Sequence, residues 1–155
     1  MKRFILFVLA AVFSAKALLA TGMSTSFADV RVEGVTPGMP FHVRGGGSDG
    51  LYLWNPYGDA LDVEVQPLSP RPDQLRDGAT PIPDPSWVEI RPQHFHLSAR
   101  GHQTCEVVLH VPKDKRFNNR HYQVMLWSRG TPVDPHGVTV SAGLLSRLQF
   151  KTTRR

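Results

Sequence analysis

The chain has a single cysteine, Cys105, among 155 residues. An intramolecular disulfide is therefore excluded, and the fold must hold by packing alone. Nor is there an apolar stretch of the ~20 residues that a membrane-spanning helix needs. The nearest approach, residues 4–15, stops at Lys16. No segment of about 20–50 residues repeats, which excludes solenoids and propellers. Cysteine and histidine spacings of a closed zinc site are missing, and so is the glycine pattern of a nucleophile elbow. Helices have little room either, because 13 glycines and 13 prolines cut the chain into short pieces.

What the N-terminus does have is a sorting pattern. Lys2 and Arg3 precede the apolar run, and Ser26-Phe27-Ala28 places small residues at −3 and −1 of a junction. Positive charge, a short apolar stretch and small residues at the cut define a secretory signal. Residues 1–28 are thus expected to be the signal peptide, with cleavage before Asp29. An earlier cut after Ala20 would put Leu18 where a small residue is wanted. With no cysteine at the junction, a lipoprotein signal is excluded. The expected product is periplasmic or secreted, without a transmembrane segment once the signal is cleaved. It comprises one domain over residues 29–151 and a basic tail over 152–155.

Cleavage also changes the charge. The full chain carries a formal +5, but Lys2, Arg3 and Lys16 leave with the signal, so 15 basic residues then face 13 acidic ones. The high isoelectric point is partly a property of the targeting segment. Residues 29–90 hold ten acids and four bases; residues 91–155 hold three acids and eleven bases. Strands from the two halves of a sandwich interleave, so this linear imbalance is expected to fold into a mixed surface. Nucleic acid is not implied as a partner.

Short β-type runs alternate with turn signals through the mature chain, the pattern of a sandwich or barrel. Residues 29–35, 51–55 and 61–65 read as early strands, and Leu61, Val63 and Val65 alternate with Asp62 and Glu64. Side chains alternate between faces along a strand, so such spacing marks one buried face and one wet one. Residues 67–85 carry six prolines and read as a rigid crossover between sheets. Strands resume at 87–90 and around Phe95 and Leu97. Residues 103–111 alternate most clearly, with Cys105, Val107, Leu109 and Val111 on one face. Residues 121–127 form another strand, and 138–151 one long or two short final strands. Seven to nine strands and no helix predict an all-β, immunoglobulin-like antiparallel β-sandwich.

Several of these pieces taken together resemble the N-terminal domain of periplasmic pilus chaperones, the PapD-like branch of the immunoglobulin fold. Leu51-Tyr52-Leu53-Trp54-Asn55 followed by Leu61–Val65 is similar to that family's strand ending in Asn and the strand after it. Trp87–Leu97 resembles its strand, Pro, aromatic and Leu stretch. Residues 103–112 with Asp114, Lys115 and Arg116 resemble a strand ending in a Pro-x-Asp-x-Arg loop. Ser146–Phe150 is similar to its basic-aromatic final strand. The resemblance spans about residues 29–151 and implies the fold. A second domain and the cleft it forms have no counterpart in this chain, so the family's anchor residues are not carried over.

Chemistry-bearing residues are sparse. His94 and His96 share a strand face and are the weak candidates for a metal, with His102 or His121 as a third ligand. Phe95 and Leu97 already account for the inward face there. Cys105 lies on the apolar face and reads as a buried, inert thiol. Asp134, His136 and Ser141 can be assembled into a hydrolase triad only on paper, since Asp134-Pro135-His136-Gly137 is a turn string. Gly45–Gly47 precedes a strand and not the helix whose N-terminus would hold a phosphate. Tyr122 suits a tyrosine corner, and Trp54, Trp87 and Trp127 read as filling the core or its rim. No enzyme and no cofactor are implied.

The expectation is thus an exported protein-interaction module, an assembly or chaperone-like accessory of a surface or periplasmic structure. Its partner would be another exported or surface protein, bound by strand addition at an exposed edge. The candidate edge is residues 138–150, with Leu144, Leu148 and Phe150 on one face. The alternative is a module for cell-wall or surface polysaccharide, with Tyr52, Trp54 and Tyr57 as its glycan-binding residues.

Overall fold

The computed structural model describes residues 22–134 and 140–154. Within them the chain forms eleven strands and three single-turn 3-10 segments. The strands are β1 (Ser24–Thr25), β2 (Asp29–Val35), β3 (Phe41–His42), β4 (Leu51–Trp54), β5 (Leu61–Leu68), β6 (Thr80–Pro81), β7 (Val88–Arg91), β8 (His94–Leu97), β9 (His102–Leu109), β10 (His121–Pro132) and β11 (Ala142–Thr152). They build two sheets. In the front sheet β9 is central, with β4 and β3 along one side, β7 on the other, and β1 outside β4. The back sheet runs β2-β11-β10-β5-β8, with β6 continuing β5's flank of β10. No helix among the described residues is long and apolar enough to cross a membrane.

The expected immunoglobulin-like sandwich is borne out, with one difference in pairing. β2 runs parallel to β11, and β6 parallel to β10; all other pairs are antiparallel. The core is where the alternation placed it. Leu61, Val63 and Val65 from the back sheet face Cys105, Val107 and Leu109 from the front, and all six are buried. Each fully buried side chain of this size contributes about 1.5–3 kcal/mol of transfer free energy. The Cys105 thiol has no disulfide partner, and burial pushes its pKa up to about 12, so it stays protonated. Trp87 lies edge-on to both Phe117 and Tyr122, and Tyr122 tilts against Phe150. Tyr122 is therefore an aromatic core residue. No hydrogen bond from its hydroxyl to the backbone is seen among the described residues, contrary to a tyrosine corner.

The proline-rich segment leaves β5 in the back sheet and ends at β7 in the front sheet, as a crossover should. Pro67 lies inside β5, but beyond the end of the β8 pairing, where that flank is open. The segment is tied down by two buried amides on the outer face of the back sheet. Gln123 donates to the Gln74 carbonyl (2.8 Å) and accepts from the Arg76 N–H (3.1 Å). Gln149 donates to the Arg76 carbonyl (3.1 Å) and to Gln123 Oε1 (3.2 Å). A long loop is fixed here because its polar backbone has partners under it.

The chain enters this sandwich before the expected cleavage point. β1 pairs with Trp54 and Leu53 of β4, and Met23 and Phe27 lie in the core. The charge halves also meet as expected. Arg129 pairs with Glu64 (3.0 Å), Arg147 with Asp29 (2.8 Å) and Lys151 with Glu33 (2.9 Å). Each of these joins the acid-rich first half to the base-rich second half.

Candidate interaction edge

β11 has two different halves. From Arg147 to Thr152 it is paired on both sides, with β10 and with β2. From Ala142 to Ser146 it has β10 alone, and no strand joins its other flank among the described residues. The Arg147 N–H donates across that flank to the Ala28 carbonyl (2.9 Å). Backbone groups alternate in direction along a strand. The N–H and C=O of Gly143 and Leu145 therefore point out of the same flank, without a strand to meet them.

The expected partner-binding side chains are placed elsewhere. Leu148 and Phe150 are fully buried in the core, and Leu144 is half-buried against it. These three share the inward face; Leu148 and Phe150 are sealed there, while Leu144 keeps part of its surface. Val138 lies outside the described residues. The correction has a simple cause: alternation identifies which face is apolar, not whether backbone hydrogen bonds on the flank are already made.

The outward positions of the open half are Gly143 and Leu145. Leu145 is 43% exposed, and Val140 just before the strand is 61% exposed. Trp127 sits opposite Leu145 on β10, half-buried, with its indole across Gly143. A Cβ at position 143 would run into Trp127 Cη2, so glycine is what lets the ring lie there. This apolar strip is bordered by Arg129, opposite Gly143, and Arg147. On the inward side, the hydroxyls of Ser128 and Ser146 are buried without hydrogen-bond partners. Neither Trp127 nor the serine pair was singled out from the sequence as part of a binding edge. The Gly143–Trp127 juxtaposition depends on cross-strand register, which single-strand patterning does not carry.

His94 and His96 are exposed on β8, the far edge of the back sheet, opposite Glu64 and Asp62. His96 Nδ1 lies 3.3 Å from Asp62 Oδ1. His102 is on the front sheet and His121 at the start of β10, so neither joins them. No group of three or more His, Cys, Asp or Glu side chains able to hold a metal comes together among the described residues. A groove of about 420 Å³ lies beside them, lined by residues including Glu64, His94 and Arg129. The Gln66 amide, then the charges of His94 and Arg129, hold the Glu64 carboxyl below its usual range. The carboxylate is an ion-pair partner of Arg129 (3.0 Å). His136 of the paper triad lies outside the described residues.

The glycan-binding candidates fall on the opposite side of the molecule. Tyr52 and Trp54 project from the outer face of β4, and Tyr52 stacks on His102 with ring centroids 5.6 Å apart. Trp54 is 42% exposed and Tyr57, in the following turn, 38%. Of the three tryptophans expected in the core or its rim, Trp87 is buried and Trp127 half-buried, whereas Trp54 is exposed.

No family model matches the chain, and no curated protein matches it. Among solved structures, PapD-like domain 7 of human CEP192 superposes with a TM-score of 0.62 at 14% identity, covering 97% of this chain and 99% of that one. The fold is PapD-like. The YadV chaperone matches with a TM-score of 0.52 at 11% identity, over 85% of this chain and 51% of its own. The chain thus spans about half the length of that chaperone. A family 123 glycoside hydrolase from Clostridium perfringens matches at 0.50 and 5% identity, over 88% of this chain but 27% of its own. At such identities the likeness establishes the fold, and activity must be argued from sites.

Proposed function

We propose that this chain is an exported, non-enzymatic protein-interaction module, an assembly or chaperone-like accessory of a surface or periplasmic structure. Its partner is an extended segment of another exported or surface protein. The observation that carries the reading is the open flank of β11 at Gly143 and Leu145, beside exposed apolar side chains. Main-chain groups on such a flank hydrogen-bond an added strand, and flanking side chains set which strand fits. Leu145 and Trp127 supply apolar contact, while Arg129 and Arg147 favour acidic neighbours. Export is supported by Lys2, Arg3 and the apolar run behind them. The PapD-like fold, found in a protein named as a chaperone, is consistent with this role.

A photoreactive residue at position 145, compared with one at Thr104 on the front sheet, tests the reading in the native envelope. A discrete protein adduct is expected from 145 and not from 104. Equal labelling from both positions, or none from 145, would sink it.

A second reading, a module for cell-wall or surface polysaccharide, is favoured by the exposed Tyr52–Trp54 face stacked with His102. Planar apolar rings on a wet surface are suited to sugar faces. Retention on isolated wall polymer, lost in Trp54→Ala and kept in Leu145→Lys, would select this reading over the first.

A further inference from the structure

Residues 23–28 form a strap that joins the two sheets. β1 hydrogen-bonds to β4 in the front sheet, and after three intervening residues β2 begins in the back sheet. Between them Phe27 is fully buried, and Met23, just before β1, is nearly so. Thr25 Oγ1 donates to the Tyr52 carbonyl (2.6 Å) and accepts from the Phe27 N–H (3.0 Å). Ala28 supplies the carbonyl that the Arg147 N–H needs (2.9 Å).

Other parts of the molecule are shaped around this strap. Gly46 has φ +61°, and a Cβ there would strike the Ser26 carbonyl oxygen. A Cβ at Gly45 would meet Val30 Cγ1 at 2.5 Å, and one at Gly130 would meet the Met23 sulfur at 3.2 Å. The glycine run that precedes β4 thus has a structural purpose: it is the seat of residues 26–30. Removing the strap would empty the Phe27 site and leave the Arg147 N–H without its acceptor. Loss of a large buried aromatic is among the most costly single changes a core can suffer.

We propose that signal processing falls upstream of Met23, so that the mature domain keeps residues 23–28. This rests on the export reading above. Two motifs with small residues at −3 and −1 lie in the required place, Ala15-Lys16-Ala17 and Ala20-Thr21-Gly22. A cut after Ala17 or after Gly22 leaves the strap whole; a cut after Ala28 destroys it.

The full chain, expressed in a bacterium with two membranes, is recovered by cell fractionation and read by intact mass and N-terminal sequencing. The expected first residue of the exported protein lies between Leu18 and Met23. An exported chain beginning at Asp29, or one retaining Met1, would overturn the inference while leaving export intact. Retention of the whole chain in the cytoplasm would instead remove the export reading on which it rests. Ala28 is exposed, so Ala28→Lys blocks a cut before Asp29 without disturbing the core. Normal processing of that variant is expected, and accumulation of precursor would contradict the proposal. Phe27→Ala in the full chain reads the strap itself: a melting temperature lower by about 10 °C or more is expected. An unchanged one would show that the strap is dispensable.

Discussion

From Arg147 to Thr152, β11 lies between β2 and β10, and its inward residues Leu148 and Phe150 are sealed in the core. From Ala142 to Ser146 the same strand keeps β10 but has lost β2, and its outward Leu145 is exposed. The two halves have the same alternation and the same antiparallel partner. What separates them is one row of backbone hydrogen bonds, which starts at Ala28 and Arg147. Whether a stretch of this strand is interior or edge is thus a property of the backbone flank and not of the inward leucines. The closed half anchors the strand; the open half has no second strand beside it among the described residues.

The sharpest way to break this division is to attack the closed half. Phe150→Ala removes a fully buried aromatic that touches Tyr122. It should cost about 3–5 kcal/mol, measured by denaturant unfolding. A loss below about 1 kcal/mol would mean that this half is no more essential than a surface strand. Next in size is Gln123→Ala. The change strips the Gln74 carbonyl and the Arg76 N–H of their partner under the proline-rich crossover. Unsatisfied buried groups cost about 1–3 kcal/mol. Limited proteolysis should then cut within residues 70–80 while the rest of the sandwich resists, since the crossover is held mainly from below.

Which of these features could be read from the residues alone follows the range of the interaction. The alternation of Leu61–Val65 and of Cys105–Val111 assigned both core faces correctly, because burial of one face is a local, period-two signal. The sandwich class followed from that and from the spacing of turns. The crossover at 67–85 was legible because proline cannot donate to a ladder. Three things were not. That β11 is half interior and half edge depends on where β2 begins, 118 residues away from Arg147 at Asp29. That Phe27 belongs to the core was masked by its position beside an apolar signal-like run. That Gly45–Gly47 and Gly143 make room for Ser26 and Trp127 requires knowing what packs against them. In each case the missing information is a long-range pairing, which a single strand's pattern does not contain.

Attacking the open half should reverse the balance of effects. Leu145→Lys places a charge on an exposed position and is expected to change stability by no more than about 0.5 kcal/mol. Adducts at a photoreactive residue on neighbouring Val140, itself exposed, should fall severalfold, because a strand lying on this flank would bury Leu145. A variant that is stable, folded and still crosslinks at wild-type yield would place the partner elsewhere. Paired with Phe150→Ala, it separates the two roles of one strand: stability without capture in one variant, and loss of both in the other.

The smallest expected effect is on the acid limb of stability, and it asks whether charge distinguishes the halves. Glu64 pairs with Arg129 beside the open half, and Glu33 pairs with Lys151 on the closed half. Both carboxyls sit below their usual value of 4.5, Glu64 chiefly through the Gln66 amide and Glu33 chiefly through the Lys151 hydrogen bond. A folded-state pKa below the unfolded one means that the folded chain binds fewer protons. The resulting stability is present above about pH 4.5 and is lost as pH falls through the depressed value. Glu33 is exposed and Glu64 half-buried at the surface, so salt screens both, Glu33 the more strongly. Glu64→Gln and Glu33→Gln should therefore each flatten the acid limb slightly, by similar amounts at low salt and not measurably at high salt. A large loss confined to Glu64→Gln would assign electrostatics a role in holding the open half in shape. Equal small losses leave backbone pairing as the feature that makes one half of β11 an anchor and the other an edge.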